Sequence, residues 1–257
     1  MDLKYKPIGF FDSGVGGISV LKQAVKILPS EDYIYFGDSK NAPYGTRTVA
    51  EVKELTFKAV DFLIGKDVKA VVIACNTATS AAIADLRERY KEMPVIGIEP
   101  ALKPAVECGR KGKILIMATP MTLAERKFGD LLSNYNDFAD IEPLPCAGLV
   151  ELIENGILEG KELNLYLNEK LAKYKSDDIA AIVLGCTHYP FIKKELCRII
   201  DNSVPVVDGS LGTAKQLKRE LSKQNILNDK VSKGSVEIYN SLNDKKIIEL
   251  SKELLYR

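Results

Sequence analysis

Shifted by 111 positions (186 − 75), residues 67–75 of this chain, DVKAVVIAC, fall on residues 178–186, DIAAIVLGC. At the same shift Pro94, Val95 and Ile96 fall on Pro205, Val206 and Val207. A generic α/β pattern lays apolar runs over apolar runs by itself. It does not readily place a cysteine at the end of both and keep the next run in step. The period is far longer than that of a solenoid, so the repeat predicts two similar α/β lobes.

The surrounding pattern agrees. Apolar runs at 8–11, 33–37, 70–74 and 95–98 are each followed by an amphipathic or alanine-rich segment, and runs at 113–117, 141–144, 180–184 and 205–207 repeat the style. This is the βαβ signature of parallel sheets. Thr48-Val49-Ala50-Glu51 is a capping box, which predicts a helix from there to about Gly65. Beyond Asp208 two helical segments flank a strand-like run at 235–238. The expected fold is α/β, with two similar lobes, each a mostly parallel sheet flanked by helices, and the active site between them. Open parallel sheets bind ligands beyond the carboxyl ends of their strands. Cys75 and Cys186 each follow an apolar run, so facing lobes would bring the two thiols face to face.

Cys75-Asn76-Thr77 and Cys186-Thr187-His188 each offer a thiol and hydrogen-bonding side chains in a strand-to-helix turn. Helix N-termini there would favour a thiolate and hold a carboxylate. Taken singly, a free cysteine reads as a small buried hydrophobe. The matched position in both copies argues for a paired role, while Cys108, Cys146 and Cys197 lack such a setting and read as structural. His188 is the single histidine of the chain, and its place beside Cys186 suggests proton handling. Because only one turn carries a histidine, the site should be asymmetric. No cysteine or histidine spacing fits a closed zinc site, so no metal is expected.

Other strand ends add polar groups. Residues 8–17 enter a glycine-rich turn that resembles a dinucleotide loop, but Ser19 stands where the third glycine of G-x-G-x-x-G belongs. Asp12 and Ser13 fall at the strand's carboxyl end, suited to an ammonium and a carboxylate. The loop at 37–45 is polar and lies on the ligand edge, and Thr119 ends the first strand of the second lobe. Residues 148–156 read as a helix with a left-handed stop, its glutamates taken as solvated charges.

Composition removes several classes. With 36 Lys and Arg against 35 Asp and Glu the formal charge is +1, which argues against nucleic acid as a partner. No apolar run approaches the roughly 18 residues of a membrane span, and residues 1–7 lack a signal-peptide pattern. Five cysteines, an odd number, fit a reducing compartment, so a cytoplasmic location is expected.

FDSGVGG (11–17), GDSKNAPYG (37–45), ACNTAT (74–79), GLVELIE (148–154) and GCTHYP (185–190), with the turn Asp208-Gly209-Ser210, occur in that order. Together they resemble the motifs of the glutamate racemases, in the cofactor-independent aspartate/glutamate racemase superfamily. The resemblance implies that Cys75 and Cys186 are the acid/base pair, Cys75 taking the α-proton of D-glutamate and Cys186 that of L-glutamate. It implies assistance from Asp12, Glu151 and His188. Substrate contacts would come from Asp12, Ser13, Pro43, Tyr44, Gly45, Asn76, Thr77, Thr187 and His188, with Thr119 adding a carboxylate contact. It further implies no cofactor, glutamate as the small-molecule partner, a product used in peptidoglycan, and room for a homodimer. The lobes would comprise residues 1–97 with 208–257 returning to complete the first, and 98–207 as the second. Some relatives carry an N-terminal extension tied to activation by a cell-wall precursor, and with a first strand near Ile8 none is expected here.

Three rivals follow from the same residues. An aspartate or other amino-acid racemase of the superfamily differs only in substrate. A thiol hydrolase with Cys186 as nucleophile and His188 as base leaves Cys75 unexplained. A noncatalytic amino-acid-binding module would tolerate loss of either thiol.

Overall fold

The computed structural model describes residues 2–135 and 138–256; Met1, Asn136, Asp137 and Arg257, which fall within the expected lobes, lie outside the described residues. The apolar runs form strands β1 (Ile8–Asp12), β2 (Tyr33–Gly37), β3 (Ala70–Ile73), β4 (Val95–Gly97), β5 (Lys113–Ala118), β6 (Asp140–Pro145), β7 (Ile179–Leu184), β8 (Val206–Asp208) and β9 (Val236–Asn240). Two sheets result, ordered β4-β3-β1-β2-β9 and β6-β5-β7-β8. Every pairing is parallel.

The repeat survives as register. Val71 opposes Val95 and Ile73 opposes Gly97 in the first sheet, and Ile182 opposes Val206 and Leu184 opposes Asp208 in the second. Adding 111 to each member of the first pairs gives the second pairs. The four strands β2-β1-β3-β4 and β6-β5-β7-β8 have one order, and the pairs β3-β4 and β7-β8 also keep the alignment of the repeat.

Continuous burial along β1, β3 and β7 follows from helices covering both faces of a parallel sheet. Side chains alternate between faces: Phe10 and Val72 meet helices Ile18–Ile27, Ser210–Lys223 and Lys245–Tyr256, whereas Phe11 and Ile73 meet helices Val49–Ile64 and Asn76–Arg89. The capping box is made as expected, the Thr48 hydroxyl accepting from the Glu51 amide and the Glu51 carboxylate from the Thr48 amide. In the second sheet Leu115 and Ile182 pack with helices Lys161–Leu171 and Lys193–Ile200.

After β8 the chain returns to the first sheet, where β9 adds to β2. The return is fastened at the far end of the molecule's first sheet by a buried ion pair, Lys69 to Glu31 at 2.5 Å. Lys69 Nζ also donates to Ile226 O and Glu31 accepts from the Asn228 amide. Among the described residues no helix is long and apolar enough to cross a membrane.

Candidate active site

In both sheets the strand order reverses beside the first strand of the lobe, between β1 and β3 and between β5 and β7. The crevice beyond the carboxyl ends at such a point is the usual ligand position. Asp12 ends β1, Cys75 follows β3, Thr119 follows β5 and Cys186 follows β7. The frame thus delivers one thiol from each lobe, each by the same step: Ala74 N donates to Phe11 O and Gly185 N to Met117 O, both at 2.7 Å.

Cys75 is 4% exposed and caps helix Asn76–Arg89, its sulfur accepting from the Ala78 amide at 3.4 Å. The thiol also donates to Ser13 Oγ at 3.5 Å. Burial pushes this thiol up to about 12, with the Asp12 charge acting the same way and the Ser13 and Ala78 hydrogen bonds opposing. The Cys186 charge is felt there too, so the two sulfurs share one electrostatic environment. Asn76 Oδ1 is buried and has no hydrogen-bond partner among the described residues, an acceptor that a bound ammonium would satisfy.

The opposite lobe closes over this turn. Thr77 Oγ1 lies 3.1 Å from both Thr119 Oγ1 and Thr122 Oγ1, which are 2.9 Å apart, a buried triangle of hydroxyls spanning the lobes. Gly45 permits the approach, since a Cβ there would sit 2.6 Å from Thr119 Cβ. Tyr44 is held beneath it by donating to Asp38 at 2.7 Å, and Asn41 donates to both oxygens of that carboxylate.

The second turn departs from the expected helix N-terminus. Cys186-Thr187-His188 leads into a 3-10 segment, Tyr189–Ile192, and the α-helix begins only at Lys193. Pro190 lies in that segment and has no amide hydrogen to give a helical ladder. A charged neighbour stands in place of the helix end. His188 Nδ1 is 3.7 Å from Cys186 Sγ and Nε2 is 2.5 Å from Glu154 Oε1. Burial alone would push the imidazole down, but its hydrogen bonds to Cys186 and Glu154 and the Glu154 charge raise it well above its ordinary value. Burial would raise Glu154, yet His188, the Val15 amide and the Ser39 hydroxyl hold it below the ordinary carboxylate value. The imidazole thus stands between the Cys186 sulfur and a carboxylate that favours its protonated form.

Thr187 reaches back to the first lobe, donating to Asp12 Oδ2 at 2.9 Å. Asp12 is fully buried, and burial raises its carboxyl against the His188 charge and the bonds from Gly14 and Thr187. Gly16 passes against this turn: a Cβ there would lie 2.4 Å from His188 Nδ1 and 2.7 Å from Thr187 Oγ1.

The structure therefore gathers Asp12, Ser13, Tyr44, Gly45, Asn76, Thr77, Thr119, Thr187 and His188 around the two cysteines. Glu151 and Pro43 lie farther out, lining a cavity of about 240 Å³ that also reaches Ser39 and Glu154. The glutamate bonded to His188 is Glu154, three residues on, and its network corrects the reading of that glutamate as a solvated charge. Glu154 and Asp38 are the site groups that sequence reasoning missed. The helical spacing of Glu151 and Glu154 puts them on one face, and only the packing of the lobes selects between them. Among the described residues no cluster of three or more His, Cys, Asp or Glu side chains could hold a metal ion.

Comparison with known proteins places this geometry. Residues 13–217 match the family described as Asp/Glu/Hydantoin racemase. A glutamate racemase of Clostridium novyi is 63% identical over 256 residues, covering 99% of each chain. Among solved structures, a glutamate racemase of Bacillus anthracis superposes with a TM-score of 0.88 at 30% identity, over 99% of this chain and 95% of that one. A glutamate racemase of Francisella tularensis, solved in complex with D-glutamate, gives 0.86 at 33% identity over the same shares.

Proposed function

The chain belongs to the Asp/Glu/Hydantoin racemase family and is an isomerase that racemises glutamate, and from that premise we propose that it does so with two thiols on opposite faces of the substrate. The observation that carries the mechanism is the delivery of Cys75 and Cys186 by equivalent strand ends of facing sheets. One thiolate takes the proton from Cα, forming an S–H bond, and the electron pair is delocalised into the adjacent carboxylate. The opposite thiol gives its proton to the other face of the planar carbon. Each turnover inverts the centre and exchanges the protonation of the two sulfurs, a coupled pair whose titration belongs to both.

Preorganised donors supply the stabilisation of the charge that develops on the carboxylate. The N-terminus of helix Asn76–Arg89 and the hydroxyls of Thr77 and Thr119 surround the place it would occupy. Asn76 Oδ1 and Asp12 are acceptors for the ammonium. His188 with Glu154 attends Cys186, while the hydrogen-bond partners of Cys75 among the described residues, Ser13 and the Ala78 amide, are neutral. By family likeness Cys186 abstracts from L-glutamate and Cys75 from D-glutamate. We take the enzyme to act in the cytoplasm, as a homodimer with lobes divided at 97/98 and 207/208, on glutamate destined for peptidoglycan.

Circular dichroism of L-glutamate incubated with the dialysed, EDTA-treated protein tests this reading. The signal should decay to zero, with aspartate and alanine turned over far more slowly. Activity that returns only with an added metal or pyridoxal phosphate would defeat the two-thiol scheme, and a preference for aspartate would move the substrate.

A further inference from the structure

Ser19, the residue that breaks the dinucleotide-loop pattern, is unused by the mechanism above. It lies in the first turn of helix Ile18–Ile27 and is buried. A serine within a helix commonly bonds back to its own preceding turn. Here the hydroxyl crosses to the other lobe and donates to the carbonyl oxygen of Thr187 at 2.9 Å. Behind it, Ser210 Oγ donates to Ser19 Oγ at 3.5 Å. Ser210 opens the helix that follows β8, so the chain of hydroxyls joins the returning segment to the Cys186 turn. Glycine at position 19 could make no such bond.

Thr187 is consequently gripped twice by the first lobe, at its hydroxyl by Asp12 and at its carbonyl by Ser19. It is the residue between Cys186 and His188. The side-chain hydrogen bonds described for Ser19 run to Thr187 and Ser210, and none reaches residues 75–79. We propose that Ser19 is a positioning residue for Cys186, its bond to the Thr187 carbonyl, backed by Ser210, fixing the Cys186-Thr187-His188 turn in the abstracting geometry while leaving the Cys75 turn untouched. This rests on the two-thiol reading.

Steady-state racemisation cannot reveal such one-sidedness. Enantiomers are equal in energy, so any variant lowers kcat/KM equally in the two directions. A half-reaction is needed. With 3-chloroglutamate, removal of the α-proton sends the electron pair into a Cα=Cβ bond as chloride leaves, and the enamine hydrolyses to 2-oxoglutarate and ammonia. Chloride release from each enantiomer should be measured for the intact enzyme, Ser19→Ala, Ser19→Thr, Cys75→Ser and Cys186→Ser. Alanine is the best helix former, so Ser19→Ala keeps its helix.

Ser19→Ala should slow elimination about tenfold, the size of one ordinary hydrogen bond, for the enantiomer that Cys75→Ser still processes. For the other enantiomer the change should stay below about twofold, and Ser19→Thr, which keeps the hydroxyl, should recover most of the rate. Equal slowing of both enantiomers, or of neither, overturns the proposal provided the two cysteine variants still divide the enantiomers. If those variants fail to divide them, the two-thiol reading has failed, and the role of Ser19 falls with it.

Discussion

The Cys75 turn and the Cys186 turn are built on the same frame and furnished differently. Both follow the strand beyond a reversal of sheet order, and both are set by the same 2.7 Å backbone bond to the neighbouring strand. Beyond the sulfur they part. Cys75 caps a helix of 14 residues and has neutral hydrogen-bond partners, whereas Cys186 leads into a 3-10 segment and stands beside a buried histidine–glutamate pair. Each turn is also completed by the other lobe, Thr77 by Thr119 and Thr122, and Thr187 by Asp12 and Ser19. The duplicated frame places one thiol beyond the strand ends of each sheet. Residues outside the duplication give each sulfur its own neighbours.

The hardest blow to the comparison is removal of either sulfur. Cys75→Ser and Cys186→Ser should each lower racemisation by about 10⁴-fold or more, since a hydroxyl is a far weaker acid than a thiol, while both proteins keep their melting temperature. Each should still release chloride from one enantiomer of 3-chloroglutamate. Equal elimination of both enantiomers by either variant would erase the division of labour, and a swapped preference would reverse only the assignment of faces.

Gly16→Ala comes next. Its Cβ would meet His188 and Thr187, and a displacement approaching 1 Å at a reacting group costs about 100-fold. Chloride release from each enantiomer of 3-chloroglutamate checks whether the loss is confined to this turn: the enantiomer that Cys75→Ser still processes should slow most.

Glu154→Gln should cost about thirtyfold, the value of one charge-assisted hydrogen bond. Because the chain has one histidine, a single imidazole resonance reports on His188. It should titrate above 6.5 in the intact protein and move downward in Glu154→Gln, whereas Glu151→Gln should leave it in place. The sign of the stability effect follows from both partners. A raised His188 stabilises fully below 6.5 and loses that contribution as pH climbs through its folded value; a lowered Glu154 stabilises above 4.5 and loses it as pH falls through its own. The melting-temperature gap between the intact protein and Glu154→Gln should be widest between those limits and narrow toward alkaline pH.

The smallest effect is expected on the Cys75 side, where Gly45→Ala displaces Thr119 rather than a proton-transfer group. About tenfold, mostly in KM, is the expected loss. A larger loss than that of Gly16→Ala would invert the ranking of the two turns.

The repeat made the lobes, their strands and the paired sulfurs legible because a shared frame leaves a shared register in the sequence. Observed strand ends differ from the expected ones by one residue at most positions, as when the run at 95–98 ends at Gly97. What the sequence concealed was made by packing, within a loop or between lobes. Glu154 and Glu151 are equivalent to any periodicity argument, and Asp38 reads as loop until Tyr44 and Asn41 are seen bound to it. The helix expected directly after His188 failed for a local reason, the proline two residues on.

The late arrival of β9 at the edge of β2 has a consequence for the ribosome. A nascent chain ordinarily completes its domains in the order they are made. Here the sheet begun by residue 8 lacks its last strand until residue 240 has been synthesised, and Lys69 and Glu31 wait for the backbone at Ile226 and Asn228. The sheet of β5 to β8, by contrast, is whole once residue 208 has emerged. The half of the molecule translated first is therefore the half whose last strand is translated last, after every strand of the Cys186 frame.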